Sequence, residues 1–169
     1  AGPFGVLNVQ EWKLPHSLGW FYTKFTQFFG FDAHDGEGKL MGLAAYGRFD
    51  PELYKNVKQV LKLTDDKWIY EVEPSFFLGE FESGTKFTKE WLKLFGEQIG
   101  VDKTNLLKPH YKNLAFAVQK VLEEVGIKLV RRAQKLTGKT KVCVAGGTFM
   151  NCKLNGELSR LIGERNFFA

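Results

Sequence analysis

Cysteine is scarce: Cys143 and Cys152 are the only two among 169 residues. Their spacing fits neither a disulfide framework nor a zinc signature, so both are expected to be reduced thiols of a cytoplasmic protein. The three histidines, His16, His34 and His110, stand far apart and form no HxxxH pair, so no metal ligand is assigned to this chain. No apolar run approaches the length of a membrane span and no signal peptide is recognisable, which argues against a membrane partner. Long basic runs are missing as well. The formal net charge is +5, yet Lys and Arg alternate with Asp and Glu, as on a solvated surface, and no nucleic-acid partner is expected. What remains is a globular α/β chain with enough residues for a sizeable core.

Aromatic residues are plentiful, with sixteen Phe. From Ser17 onward Leu18, Phe21, Tyr22, Phe25, Phe28 and Phe29 recur at three- and four-residue steps, which predicts a helix capped by Ser17 and stopped by Gly30. Its aromatic side is either a thick core or an exposed face for a partner. His16, just ahead of the cap, reads as a local hydrogen-bonding residue. A small-residue helix follows over Asp35 to Gly47, in which Gly42 suggests close packing or close approach of a ligand. Glu37 and Lys39 in its first turn project about 200° apart and by themselves read as a solvated pair. Asp50-Pro51-Glu52 starts a helix expected to reach about Leu63. Lys67 to Val72 reads as a strand, and loops surround Pro74 and Ser83 to Thr85. Thr88 opens a short helix ended by Gly96. The longest helix spans about His110 to Thr137, with an apolar stripe from Leu114 to Leu136 and Gly138 as its cap. Gly2 to Val9 is a candidate edge strand, and Asn166 to Ala169 looks like the approach to another strand. The chain is expected to be a fragment of a longer protein.

Lys141 to Glu157, KVCVAGGTFMNCKLNGE, concentrates the chemistry. Val142 to Ala145 reads as a strand buried on both faces, and Gly146-Gly147 allows a sharp turn and close approach of a ligand. A helix beginning near Thr148 or Phe149 would aim its N–H groups at an anion over that turn. The alternative is a tight strand-to-helix connection without a ligand. The Thr148 hydroxyl either donates to a phosphate or caps the helix.

Two stretches together resemble the carbamoyltransferase family of the nodulation and antibiotic O-carbamoyltransferases. They are PHSLGWFYTKFTQFFGF with EGKLMGLAAYG, and LAFAVQKVLEE followed by VCVAGGTFMNCKLNG; residues 50–109 match more weakly, as a variable insert would. Ala45 departs from the GLAPYG pattern, and Thr148-Phe149-Met150 replaces a smaller aliphatic trio.

The resemblance implies part of an actin-like ATPase (ribonuclease H-like) domain, with long helices packed on a small sheet. It implies that ATP and carbamoyl phosphate form a carbamoyl adenylate, whose carbamoyl group passes to a small-molecule hydroxyl acceptor. It also implies nucleotide contacts from Gly146, Gly147, Thr148, Asn151, Glu37 and Lys39, and a divalent metal held by a histidine-rich motif that this sequence lacks. The missing lobes of the parent chain are then its natural partners, and the isolated chain is expected to bind ATP weakly or not at all. Two other readings remain: a relative of the threonylcarbamoyl-tRNA enzymes, or a non-catalytic module with an exposed aromatic face.

Overall fold

The computed structural model describes residues 5, 7–65, 68–77, 87–100 and 102–169. Six α-helices and two small two-stranded sheets occupy them, a mixed α/β architecture that is mostly helical. α1 (Leu18–Phe28) begins where the Ser17 hydroxyl accepts the Trp20 N–H, and α3 (Pro51–Val60) where the Asp50 carboxylate accepts the N–H groups of Glu52 and Leu53. α2 (Glu37–Ala44) lies between them. α4 (Lys89–Phe95) starts at the Thr88 cap. α5 (Pro109–Thr137) stops at Gly138, whose φ of 65° is one that a side chain would oppose. It is the spine of the fold, with α2, α3 and α6 (Cys152–Ile162) packed along it.

α3 ends at Val60, short of the expected Leu63. Leu61 is already extended, and β1 (Leu61–Leu63) pairs antiparallel with β2 (Tyr70–Val72). A hairpin ladder offered those three residues partners that another helical turn could not. His16 is the local hydrogen-bonding residue expected from the sequence: its Nδ1 accepts the Val72 N–H at 3.1 Å, and its carbonyl accepts the Tyr70 hydroxyl.

β3 (Val142–Cys143) runs parallel to β4 (Phe167–Phe168), joined through α6 as a β-α-β unit, so the expected final strand is present. The expectation of a strand buried on both faces is corrected: Cys143 and Ala145 are exposed, and only alternate residues turn inward. One ladder neighbour and one packed face account for this among the described residues. Leu7 to Val9 have no strand structure, and most of the rest of that expected strand, like Ser83 to Thr85, lies outside the described residues.

The aromatic side of α1 is buried, which removes the exposed-face reading. Phe21, Phe25, Phe28 and Phe29 are all fully buried because α4 folds across them, bringing the Trp91 ring to 4.7 Å from Phe25. Residues 50–109 therefore contribute to the central core. Gly42 is exposed with open space around it, so the close packing expected of it falls on Gly47 instead. A Cβ there would lie 2.0 Å from the Lys112 carbonyl oxygen of α5, so glycine lets the end of α2 sit against the spine. No helix among the described residues is long and apolar enough to cross a membrane.

Candidate functional site

α1, α2 and the turn between β3 and α6 enclose a cavity of about 720 Å³. Small-molecule sites run from roughly 300 to 1,000 Å³, so this is ample for a nucleotide-sized ligand. The Ser17 cap fixes the phase of α1. Helical periodicity then sends Phe21, Phe25 and Phe28 to the core while Gly19, Tyr22 and Thr23 meet the cavity.

Glu37 enters the cavity from the first turn of α2. Its Oε1 accepts the Thr23 hydroxyl at 2.8 Å and the His34 N–H at 3.0 Å, which joins the two helices and fixes the carboxylate. His34 holds this arrangement at a φ of 67°, a left-handed conformation that a non-glycine residue adopts at a cost and that gathers at functional sites. Lys39 is exposed on α2 and does not line the cavity.

The glycine turn forms the opposite wall. Gly146 has φ 98° and ψ 169°, a conformation open to glycine alone in practice. Gly147 lines the cavity and opens a single 3-10 turn, Gly147–Met150. The expected helix start near Thr148 or Phe149 is corrected: α6 begins at Cys152, and its N-cap is Asn151, whose Oδ1 accepts the Leu154 N–H at 2.9 Å. The Phe149 and Asn151 amides are already bonded to the carbonyls of Gly146 and Thr148. Thr148 is consequently no helix cap; it lines the cavity, near Gly19.

Beneath both walls lies a buried polar network. Gln119 of α5 is 2% exposed; its Oε1 accepts the Tyr22 hydroxyl and one N–H of Asn151, both at 2.9 Å. Its Nε2 donates to Asn151 Oδ1 at 3.0 Å and to Glu123 Oε1 at 2.9 Å. Burial above all pushes the Tyr22 hydroxyl well above its ordinary titration range, so at neutral pH it keeps its proton.

Gly147, Thr148, Asn151 and Glu37 thus share one cavity although more than a hundred residues separate Glu37 from the turn, whereas Gly146 shapes the turn from outside the lining and Lys39 faces away. The acid groups lining the cavity are Asp35 and Glu37, with no Lys or Arg among the described lining residues. Among the described residues no group of three His, Cys, Asp or Glu side chains is placed to hold a metal ion. The sequence reading missed Tyr22, Thr23 and Gln119. Gln119 had a signal: a lone amide beside the apolar stripe of a buried helix asks for partners.

The sequence matches the Carbamoyltransferase N-terminus family over residues 5–167. The chain belongs to that family. Among its relatives, an uncharacterized protein of Synechocystis sp. is 32% identical over 153 residues, which are 89% of this chain and 24% of the relative. Nodulation protein NolO of Bradyrhizobium diazoefficiens is 29% identical over 163 residues, covering 91% of this chain and 26% of the relative. Nodulation protein NolNO of Sinorhizobium fredii is 27% identical over 151 residues, covering 85% and 19%. The chain thus spans about a quarter or less of the length of these curated relatives.

Proposed function

We propose that this chain is the nucleotide-facing part of an O-carbamoyltransferase, built on an actin-like ATPase domain. The observation that carries the reading is the convergence of the two motif regions, α1–α2 and the Gly146–Asn151 turn, on one cavity of about 720 Å³. The lining chemistry suits the nucleoside end of ATP better than its phosphates. Glu37 Oε1 is already committed to Thr23 and His34, and the second carboxylate oxygen is the one offered to a ribose hydroxyl. With Asp35 and Glu37 as the charged lining, the triphosphate needs cations from elsewhere in the parent protein. The open backbone at Gly147 supports close approach near the α-phosphate.

Carbamoyl phosphate, ATP and one water give carbamoyl adenylate, phosphate and pyrophosphate. The acceptor hydroxyl then attacks the carbamoyl carbon, loses its proton, and AMP departs. The mixed anhydride hydrolyses readily, so this chain's part is to hold the nucleoside and exclude water from one side. The test is to supply the full-length protein with ATP, carbamoyl phosphate and divalent metal. Pyrophosphate release that depends on carbamoyl phosphate supports the reading, and ATP left intact defeats it. In that assay Glu37→Gln should raise KM for ATP about tenfold while the melting temperature stays near wild type.

A further inference from the structure

Gln119 lies in no wall of the cavity, yet it decides what two of the lining residues can offer a ligand. Its amide orientation is fixed from both ends. The Leu154 N–H requires an oxygen from Asn151 at the N-cap, and the Glu123 carboxylate requires a donor from Gln119. Only one arrangement satisfies both: Gln119 Nε2 faces Asn151 Oδ1 and Glu123, and Gln119 Oε1 faces Asn151 Nδ2 and Tyr22. Both hydrogens and both lone-pair directions of the Gln119 amide are then in use. The Tyr22 proton is committed inward, so Tyr22 can present only lone pairs to the cavity. Asn151 is held on every side: its Oδ1 accepts from Gln119 and the Leu154 N–H, its Nδ2 donates to Gln119 Oε1, and the same amide interacts with the Tyr22 hydroxyl.

We propose that Gln119 is a positioning residue that sets the hydrogen-bond polarity of the cavity, holding Asn151 in place and committing the Tyr22 proton inward so that Tyr22 meets the ligand as an acceptor. A ligand group that donates a hydrogen bond is the match. This inference rests on the nucleotide reading for its ligand, where a ribose hydroxyl and the amino edge of adenine are the two sources of that chemistry.

Three variants of the full-length protein test it: Gln119→Leu, Gln119→Glu, and Gln119→Glu combined with Glu123→Gln, each checked for folding by circular dichroism and melting. Gln119→Leu should raise KM for ATP about tenfold while kcat changes less than threefold. Gln119→Glu sets two carboxylates against each other, and adding Glu123→Gln restores a donor at position 123. The double variant should therefore recover part of the lost affinity, which a mere packing defect would not.

ATP, 2′-deoxy-ATP, 3′-deoxy-ATP and the 6-desamino purine nucleotide identify the source. Wild type should reject one of the analogues about tenfold, and Gln119→Leu should no longer discriminate. Equal use of all four by wild type, or a Gln119→Leu variant with unchanged KM, overturns the proposal. The side-chain amide resonances of Asn151 supply a readout that needs no ATP. If they keep their shift and slow exchange in whichever of Gln119→Leu and Gln119→Glu folds, Gln119 does not position Asn151. If wild type releases no pyrophosphate, the nucleotide reading falls, and the Asn151 resonances still decide the role of Gln119.

Discussion

α1 presents two faces of opposite character, and the contrast shows how this fold separates broad apolar packing from directed polar contacts. On one face Phe25 and Phe28 meet Trp91 and Phe95, with ring centroids 4.7 to 6.3 Å apart in tilted and edge-to-face arrangements. Such packing is tolerant in direction and large in area, and it supplies stability. On the other face Tyr22 and Thr23 each make one directed bond, to Gln119 and Glu37. Those bonds contribute little net stability but permit few geometries. The helix is held by its aromatic side and turns its polar side to the cavity.

The largest expected effect belongs to the aromatic face. Trp91 is fully buried against Phe25, Phe28, Phe76, Phe87 and Phe95. Trp91→Ala should cost about 3–5 kcal/mol in urea denaturation. A loss below about 1 kcal/mol would break the comparison, because the core would then not be what holds α1. Next comes Gly47→Ala, where the new Cβ would be 2.0 Å from one backbone atom of Lys112 and 2.6 Å from another. Backbone cannot swing aside as a side chain can, so about 1–3 kcal/mol should be lost as α2 lifts from α5. Because α2 carries Glu37, this variant should also weaken ligand binding, which the Trp91 change should do only by unfolding.

Thr23→Val sharpens the polar side of the contrast. Removing the hydroxyl that holds Glu37 should cost only about 1 kcal/mol of stability, with a clear loss of ligand affinity in titration calorimetry. The reverse outcome would make Thr23 a core residue. The smallest effect is a pH dependence. The Tyr54 hydroxyl donates to Glu124 at 2.7 Å, linking α3 to α5 away from both faces of α1. Burial first, then that carboxylate, raise its pKa from 10.0 to about 12. A raised folded-state value means the contribution is whole below pH 10.0 and disappears as pH climbs toward about 12. Tyr54→Phe should flatten that part of the decline in melting temperature, and an unchanged alkaline slope would show that the buried tyrosines of the core govern it alone.

The local grammar of the chain was readable because it depends on near neighbours. Ser17, Asp50 and Thr88 are caps in the sequence and in the structure, since a short polar side chain next to an apolar periodicity has free N–H groups within reach. Gly138 stops α5 for the same local reason. Asn151 stood out through the family resemblance but not as the helix cap it proves to be. The choice between Thr148 and Asn151 turned on the Gly146–Met150 turn and on Gln119, 32 residues away. Likewise nothing local told Gly42 from Gly47: the difference is the presence of α5 behind one and solvent beside the other.

By itself the sequence determined several of the helix caps, the family to which the chain belongs, and the two motif regions that meet at the cavity. These rest on interactions within a turn or two of the chain and on residue identity. Only the tertiary structure decided that the aromatic side of α1 is covered, that Lys39 points away while Glu37 points in, and that Gln119 fixes Tyr22 and Asn151. Each of those depends on what an element packs against, and a long-range partner leaves no periodicity in the sequence to announce it.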